Sequence, residues 1–246
     1  QKRVGNWMQS SLEDASVLVV GAGALGNEAV KLLLQLGVSK ITLADHDTVA
    51  TANLNRCVFF TPEDAEKGRF KAEAVKERAL DAFPLSRIIT YVRKIEEFQE
   101  DFFSGFDAAF SCLDNLNARL HLNAHCYGKF PVIDGGTFGF QGKVQVVKGG
   151  SSCLECSLSK VDYRLLWKKY SCVGDFLDVL DPKMPALSTT TSFIASLQVN
   201  EFLKLQMPSL GAGEGLAGRF LLYDGLMNSF SVFSVPRRRD CPAHPA

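Results

Sequence analysis

Hydrophobic positions along this chain fall into short continuous runs, separated by stretches in which they recur at helical spacing. The first run, Val17–Val20, enters Gly21-x-Gly23-x-x-Gly26, and a helical repeat follows through Ala29, Val30, Leu32, Leu33, Leu34 and Leu36. A second run, Ile41–Leu43, comes next. A short continuous apolar run is the pattern of a strand buried on both faces, and the helical repeat is that of a helix packed along one stripe. Residues 12–48 therefore predict one β-α-β unit.

The alternation continues with variation. Residues 47–60 read as a polar loop, and Pro62–Phe83 as a helix capped by Thr61, with Ala72, Val75, Ala79 and Leu80 on its apolar stripe. Ile88–Arg93 predicts a short strand, Ile95–Phe103 a helical segment and Asp107–Ser111 a strand. Ala118–Tyr127 predicts a helix and Pro131–Ile133 another buried strand. Strands alternating with helices imply a doubly wound, mostly parallel sheet. Beyond Gly135-Gly136 the period becomes two: Gly142–Val147 alternates like an antiparallel strand, Leu187–Leu205 is a long apolar helix, and Phe220–Val235 holds two further strands. The expected fold is α/β, a Rossmann-like doubly wound sheet extended by antiparallel strands. It is read as one domain over residues 1–246, with a nucleotide-binding part at about 12–135 and the remainder at about 136–246.

Composition narrows the function classes. The 27 Lys and Arg residues equal the 27 Asp and Glu, so no bulk field draws the chain to nucleic acid or an anionic membrane. No apolar run approaches the ~20 residues that span a bilayer, and no signal peptide is visible. Seven cysteines beside a nucleotide site suit a reducing, cytoplasmic setting better than a disulfide scaffold. The 18 phenylalanines read as core rather than as a base-stacking platform.

The glycine pattern places Gly21, Gly23 and Gly26 where a backbone approaches phosphate at a helix N-terminus. Asp45 follows roughly 20 residues on, where a carboxylate takes ribose hydroxyls. A dehydrogenase would share both features. The polar and cationic set that follows, Asn53, Asn55, Arg56 and Lys71, suits the three phosphates of ATP instead. Asp114 follows the strand ending at Ser111, so it sits where doubly wound folds place ligands. There it either holds the Mg²⁺ that bridges phosphates or, with Asn115, caps the next helix. Cys153-x-x-Cys156 and Cys241-x-x-His244 are two pairs at zinc spacing; a redox dithiol is the other use of the first pair. Cys57, Cys112 and Cys126 sit in apolar sequence and read as buried. Cys172, flanked by Lys168 and Lys169, is the thiol that nearby cations could ionise into a nucleophile. His46, His121 and His125 show no metal spacing.

In order and spacing, GAGALG, DHDTVATANLNR, GRFKAEAV, SCLDNLNAR, PVIDGGTFGFQGKVQVV, CLEC and CPAH resemble the ThiF/MoeB/HesA and ubiquitin-activating (E1-like) enzyme superfamily. The run from DNLNAR to CLEC is especially similar to the adenylation subunits of NEDD8- and SUMO-activating enzymes. The short length resembles the bacterial MoeB and ThiF proteins. The resemblance implies ATP- and Mg²⁺-dependent adenylation of the C-terminal carboxylate of a ubiquitin-like protein ending Gly-Gly. It implies Asp45 and Asp47 at the nucleotide, with Asn53, Arg56 and Lys71 on its phosphates. Asp114 would hold Mg²⁺, and Cys153, Cys156, Cys241 and His244 Zn²⁺, His244 standing where the family usually has a cysteine. Cys172 falls in the family's crossover loop, where thioester-forming members carry their nucleophile, but the sequence after it, VGDFLDVLDPK, departs from the usual continuation. Catalytic roles thus fall to Cys172, Arg56, Lys71 and Asp114. The alternative is an adenylyltransferase acting on a sulfur-carrier protein or peptide without a covalent enzyme intermediate. A homodimer, or a heterodimer with a paralogue, is implied, with a conjugating enzyme as a further partner.

Overall fold

The computed structural model describes residues 4–158, 186–211 and 213–244. Eight strands form one sheet in the order β3-β2-β1-β4-β5-β6-β7-β8. The strands are β1 (Ser16–Val20), β2 (Lys40–Ala44), β3 (Arg87–Tyr91), β4 (Ala108–Ser111), β5 (Val132–Phe138), β6 (Gln141–Val147), β7 (Arg219–Asp224) and β8 (Ser229–Ser234). The first five run parallel, and β6, β7 and β8 continue antiparallel. The Rossmann-like α/β sheet with an antiparallel extension is as the hydrophobic pattern predicts.

Short helix α1 (Ser10–Glu13) precedes β1, and α2 (Ala24–Leu36) joins β1 to β2. Gly37, at φ 95°, ends α2 by turning its amide and that of Val38 back onto the last carbonyls. The region 62–83 forms two helices rather than one: α3 (Pro62–Glu66) and α4 (Lys71–Ala82). Thr61 caps α3 as expected, accepting from the Asp64 amide. Gly68, at φ +58°, then turns the chain out of helix before Lys71 restarts it. Residues 95–103 make two 3-10 turns, Ile95–Glu97 and Glu100–Phe102, in place of the expected helix. Their aromatic side chains pack together: Phe98, Phe102, Phe103 and Phe106 form a chain of ring contacts with Tyr91 and Phe130.

Helix α5 (Leu116–Cys126) links β4 to β5, and α6 (Ser188–Gln206) packs across α2, β5 and β6. Two glycines let α6 approach. A Cβ on Gly135 would lie 2.4 Å from the Gln198 side chain, and one on Gly142 would lie 2.3 Å from Ile194. Gly135-Gly136 therefore lies inside β5, which runs five residues beyond the predicted end at Ile133. Among the described residues no helix is long and apolar enough to cross a membrane.

Candidate adenylation site

The glycine loop turns at the C-terminal end of β1, and its three glycines answer two different demands. A Cβ on Gly21, which has φ +95°, would meet the Cys112 carbonyl oxygen at 2.4 Å; one on Gly26 would meet the Gly21 carbonyl oxygen at 1.9 Å. Both are required by the chain's own packing. Gly23 is different: a Cβ there would meet nothing within 4 Å. It is the residue just before α2, so the open space lies at the positive end of a 13-residue helix. A nucleotide phosphate fits there on both charge and room.

Asn27, fully buried, fixes this loop in a way the sequence analysis missed. Its amide donates to the Ala22 carbonyl at 2.7 Å and the Gly23 carbonyl at 3.0 Å, and its oxygen accepts from the Phe59 amide at 3.0 Å. The glycine loop and the end of the 47–60 loop are thereby tied to one side chain. The available signal was a polar residue on the apolar stripe of α2 directly after the glycines.

Asp45, at the end of β2, accepts from the Ala22 amide at 2.6 Å and the Asp47 amide at 2.7 Å. Burial raises its pKa, while Lys71 and the two amides pull it down. Lys71 begins α4; its amide donates to the Asp47 carbonyl at 2.8 Å, and its amine sits 2.7 Å from the Asp47 carboxylate. Asp45, Asp47 and Lys71 thus stand together beside the glycine loop. Asn53 accepts from the Ala50 amide at 2.9 Å, holding a 3-10 turn at Thr51–Asn53. Arg56 bonds the Ala52 carbonyl and, at 2.9 Å, the Asn55 side chain, so the structure directs it along its own loop. His46 lies 3.4 Å from Asp47 and forms a small exposed cluster with Asp45 and Asp47.

Beyond β4, the capping role falls to Asn115, whose side chain accepts from the Ala118 amide at 2.8 Å. Asp114 is exposed and, among the described residues, makes no hydrogen bond or ion pair. A carboxylate left free at the C-terminal edge of the sheet fits a Mg²⁺ ligand. Beneath it lies a buried polar network. Arg119 holds Asp134 (2 % exposed) at 2.9 and 3.1 Å and donates to the Leu113 carbonyl at 3.0 Å. Ser111 donates to Asp134 at 2.6 Å, and Gln198 of α6 donates to the Ile133 carbonyl at 2.8 Å.

A second site lies at the C-terminal end of α5. Cys153, Cys156, Cys241 and His244 are all buried, and their ligand atoms lie within 4.8 Å of one another. The Sγ atoms of Cys153 and Cys241 are 3.5 Å apart, and Cys156 Sγ is 3.2 Å from His244 Nε2. The His244 ring stacks on Tyr127. Burial pushes the Cys153 thiol up to about 12; Cys156, against the same effect of burial, is drawn down to about 7 by backbone amides and His244. Three thiols and one imidazole converging from two distant segments fit a tetrahedral zinc ion and not a two-cysteine redox pair. Cys57 and Cys126 are buried, as expected, whereas Cys112, at the end of β4 beside the glycine loop, is half-buried. Cys172 lies outside the described residues.

The ThiF family model matches residues 1–243, and this chain belongs to the ThiF family. It is 32 % identical over 243 residues to a sulfur carrier protein adenylyltransferase of Thermus thermophilus, covering 98 % of this chain and 86 % of that protein. It is 36 % identical over 149 residues to SUMO-activating enzyme subunit 2 of Dictyostelium discoideum, 59 % of this chain and 22 % of that one. The chain thus spans about a fifth of the length of the SUMO-activating subunit. Its fold is similar to that of MccB from E. coli, with a TM-score of 0.78 at 20 % identity over 96 % of this chain and 68 % of that one.

Proposed function

We propose that this chain adenylates the C-terminal carboxylate of a ubiquitin-like protein and then takes the acyl group as a thioester on Cys172. The observation that carries the first half is the layout of one sheet edge. The open helix terminus at Gly23, the Asp45–Lys71–Asp47 group and the unbonded Asp114 carboxylate lie at the ends of adjacent strands. In the reaction, a carboxylate oxygen attacks the α-phosphorus of ATP. The bond to the β-phosphate breaks and pyrophosphate leaves. The chain's residues position and neutralise: Asp45 orients the ribose, Lys71 and Asn53 face the phosphates, Arg56 turns to them from its own loop when ATP binds, and α2 directs its N-terminus at them. Asp114 would hold a Mg²⁺ ion, whose chemistry there would be further neutralisation of the phosphate charge. In the thioester step the Cys172 thiolate attacks the acyl carbonyl and AMP leaves.

The likeness to the Thermus sulfur carrier adenylyltransferase, over most of both chains, favours a second reading in which the adenylate is the product and no enzyme adduct forms. In either reading a dimer with itself or a paralogue is the expected assembly, and Zn²⁺ at the Cys₃His site fastens the C-terminal tail. Intact-mass spectrometry with Mg·ATP and a Gly-Gly-ended ubiquitin-like protein, without reductant, separates the two. A thiol-sensitive enzyme adduct, lost in Cys172→Ala, is the expected result. AMP on the carrier with no adduct would replace it with the second reading.

A further inference from the structure

Arg119 of α5 divides its guanidinium between two places instead of making a simple ion pair. One terminal nitrogen meets both oxygens of Asp134 in β5, at 2.9 and 3.1 Å. Nε, at 3.0 Å, and the other terminal nitrogen both donate to the Leu113 carbonyl. Leu113 is the residue before Asp114, in the loop between β4 and α5. One rigid planar group thus ties β5 to the loop that carries Asp114.

The anchor of this bridge is firm. Asp134 is buried, and Ser111, its register partner on β4, donates to it at 2.6 Å. Gln198 of α6 fastens the same two strands, donating to the Ser111 carbonyl at 3.2 Å and the Ile133 carbonyl at 2.8 Å. Gly136 leaves room for the guanidinium: a Cβ there would lie 3.0 and 3.2 Å from its two terminal nitrogens. A buried ion pair adds little net stability over apolar residues of similar volume. What this one adds is a fixed position for the Leu113 carbonyl.

That position matters for the next residue. Asp114 is exposed and, among the described residues, makes no hydrogen bond or ion pair of its own. A carboxylate without bonds of its own is aimed by its backbone. The residues on either side of it are both held, Leu113 by Arg119 and Asn115 by its 2.8 Å cap on the Ala118 amide. Groups that orient a metal ligand govern metal affinity nearly as strongly as the ligand does.

We propose that Arg119 is a positioning residue: by bridging Asp134 and the Leu113 carbonyl, it holds the Asp114 carboxylate in the direction from which it takes Mg²⁺. The proposal rests on the adenylation reading for the role of Asp114. Arg119 is assigned no contact of its own with metal or nucleotide. Lysine in its place would keep a positive charge beside Asp134, but a single ammonium cannot reproduce the planar fork that reaches both partners.

The probe is a fluorescent, non-hydrolysable ATP analogue, titrated by anisotropy into the full chain in Mg²⁺ and again in EDTA. The ratio of the two affinities reports how far the metal tightens binding. Asp114→Asn should lower that ratio about tenfold or more, and Arg119→Lys should do the same. Affinity in EDTA should stay within about twofold of wild type in both. Gly136→Ala, which removes no charge and crowds the guanidinium, should lower the ratio by a smaller factor. In the double variant Asp114→Asn/Arg119→Lys the two losses should not add, because both act through one carboxylate. Thermal unfolding shows which variants fold, and Gly136→Ala carries the test where Arg119→Lys does not. An unchanged ratio in that folded variant, while Asp114→Asn lowers it, would overturn the positioning role. Losses that add, or a loss equally large in EDTA, would do so too. A ratio that Asp114→Asn leaves unchanged would overturn the proposal together with the Mg²⁺ role of Asp114. The full pattern in a protein that never releases pyrophosphate would leave the role of Arg119 standing and count against the adenylation reading.

Discussion

Asn27 joins the glycine loop to the loop ending at Phe59 with three hydrogen bonds from one fully buried side chain. Removing it leaves the Phe59 amide and the Ala22 carbonyl without their partner, while the Gly23 carbonyl keeps the residue-27 amide at 2.9 Å; each group left unsatisfied costs about 1–3 kcal/mol. Asn27→Ala is therefore expected to lower stability in urea by about 2 kcal/mol. It should also raise KM for ATP about tenfold with a smaller fall in kcat, because the loop that faces phosphate is no longer held. Steady-state kinetics beside urea unfolding checks both. The residues proposed to face the nucleotide stand out in the sequence because phosphate and ribose impose a spacing that any chain must meet in the same way. Asn27 does not, since its partners are backbone groups that only the folded loops bring together. Arg56 shows the reverse limit: its type was informative, but its present direction is set by local carbonyl and amide acceptors.

At the scale of elements, the break between α3 and α4 matters most for the site. The apolar positions Ala65, Ala72 and Ala79 keep helical phase across residues 62–83, so periodicity alone reads one helix. Asp64 and Gly68 interrupt it. The buried Asp64 carboxylate takes the Thr61 amide at 2.9 Å and hydroxyl at 2.7 Å, and pairs with Arg69 at 3.1 Å. The result places Lys71 at the first turn of a new helix, within reach of Asp47. Burial acts to raise the Asp64 pKa, but these bonds, with Arg78 and Arg69, bring it below the ordinary value of an aspartate. A lowered folded pKa means stabilisation present above the unfolded value and lost as pH falls through the folded one. Asp64→Asn should cost about 1–3 kcal/mol at pH 7, and the gap to wild type should close as the pH drops below about 4. Urea titrations at pH 7, 5 and 3.5 test this directly. The sheet itself was legible strand by strand. The length of β5 was not, because Gly135-Gly136 looks like a turn until Gln198 and Arg119 are seen to fill the space above it.

Over the whole molecule, the parallel half carries the proposed nucleotide edge, and the Cys₃His cluster joins the turn after β6 to the segment after β8. Both cysteine-containing pairs were readable from spacing, but their convergence is a property of the fold. One equivalent of zinc is expected per chain, and its removal by a strong chelator should lower Tm by about 10 °C, since a structural ion contributes folding energy outright. His244→Cys should keep the metal and His244→Ala should lose it, as read by zinc analysis of the purified variants. Activation of a carboxylate with ATP at this edge is read without intermediaries by pyrophosphate exchange into ATP. Exchange should require Mg²⁺ and a Gly-Gly-ended carrier with a free C-terminal carboxylate. It should fall by about a hundredfold or more in Asp114→Asn. Wild-type protein that exchanges equally well without the carrier's carboxylate, or that binds a nicotinamide dinucleotide at the glycine loop and exchanges nothing, would rule out carboxylate activation at this edge.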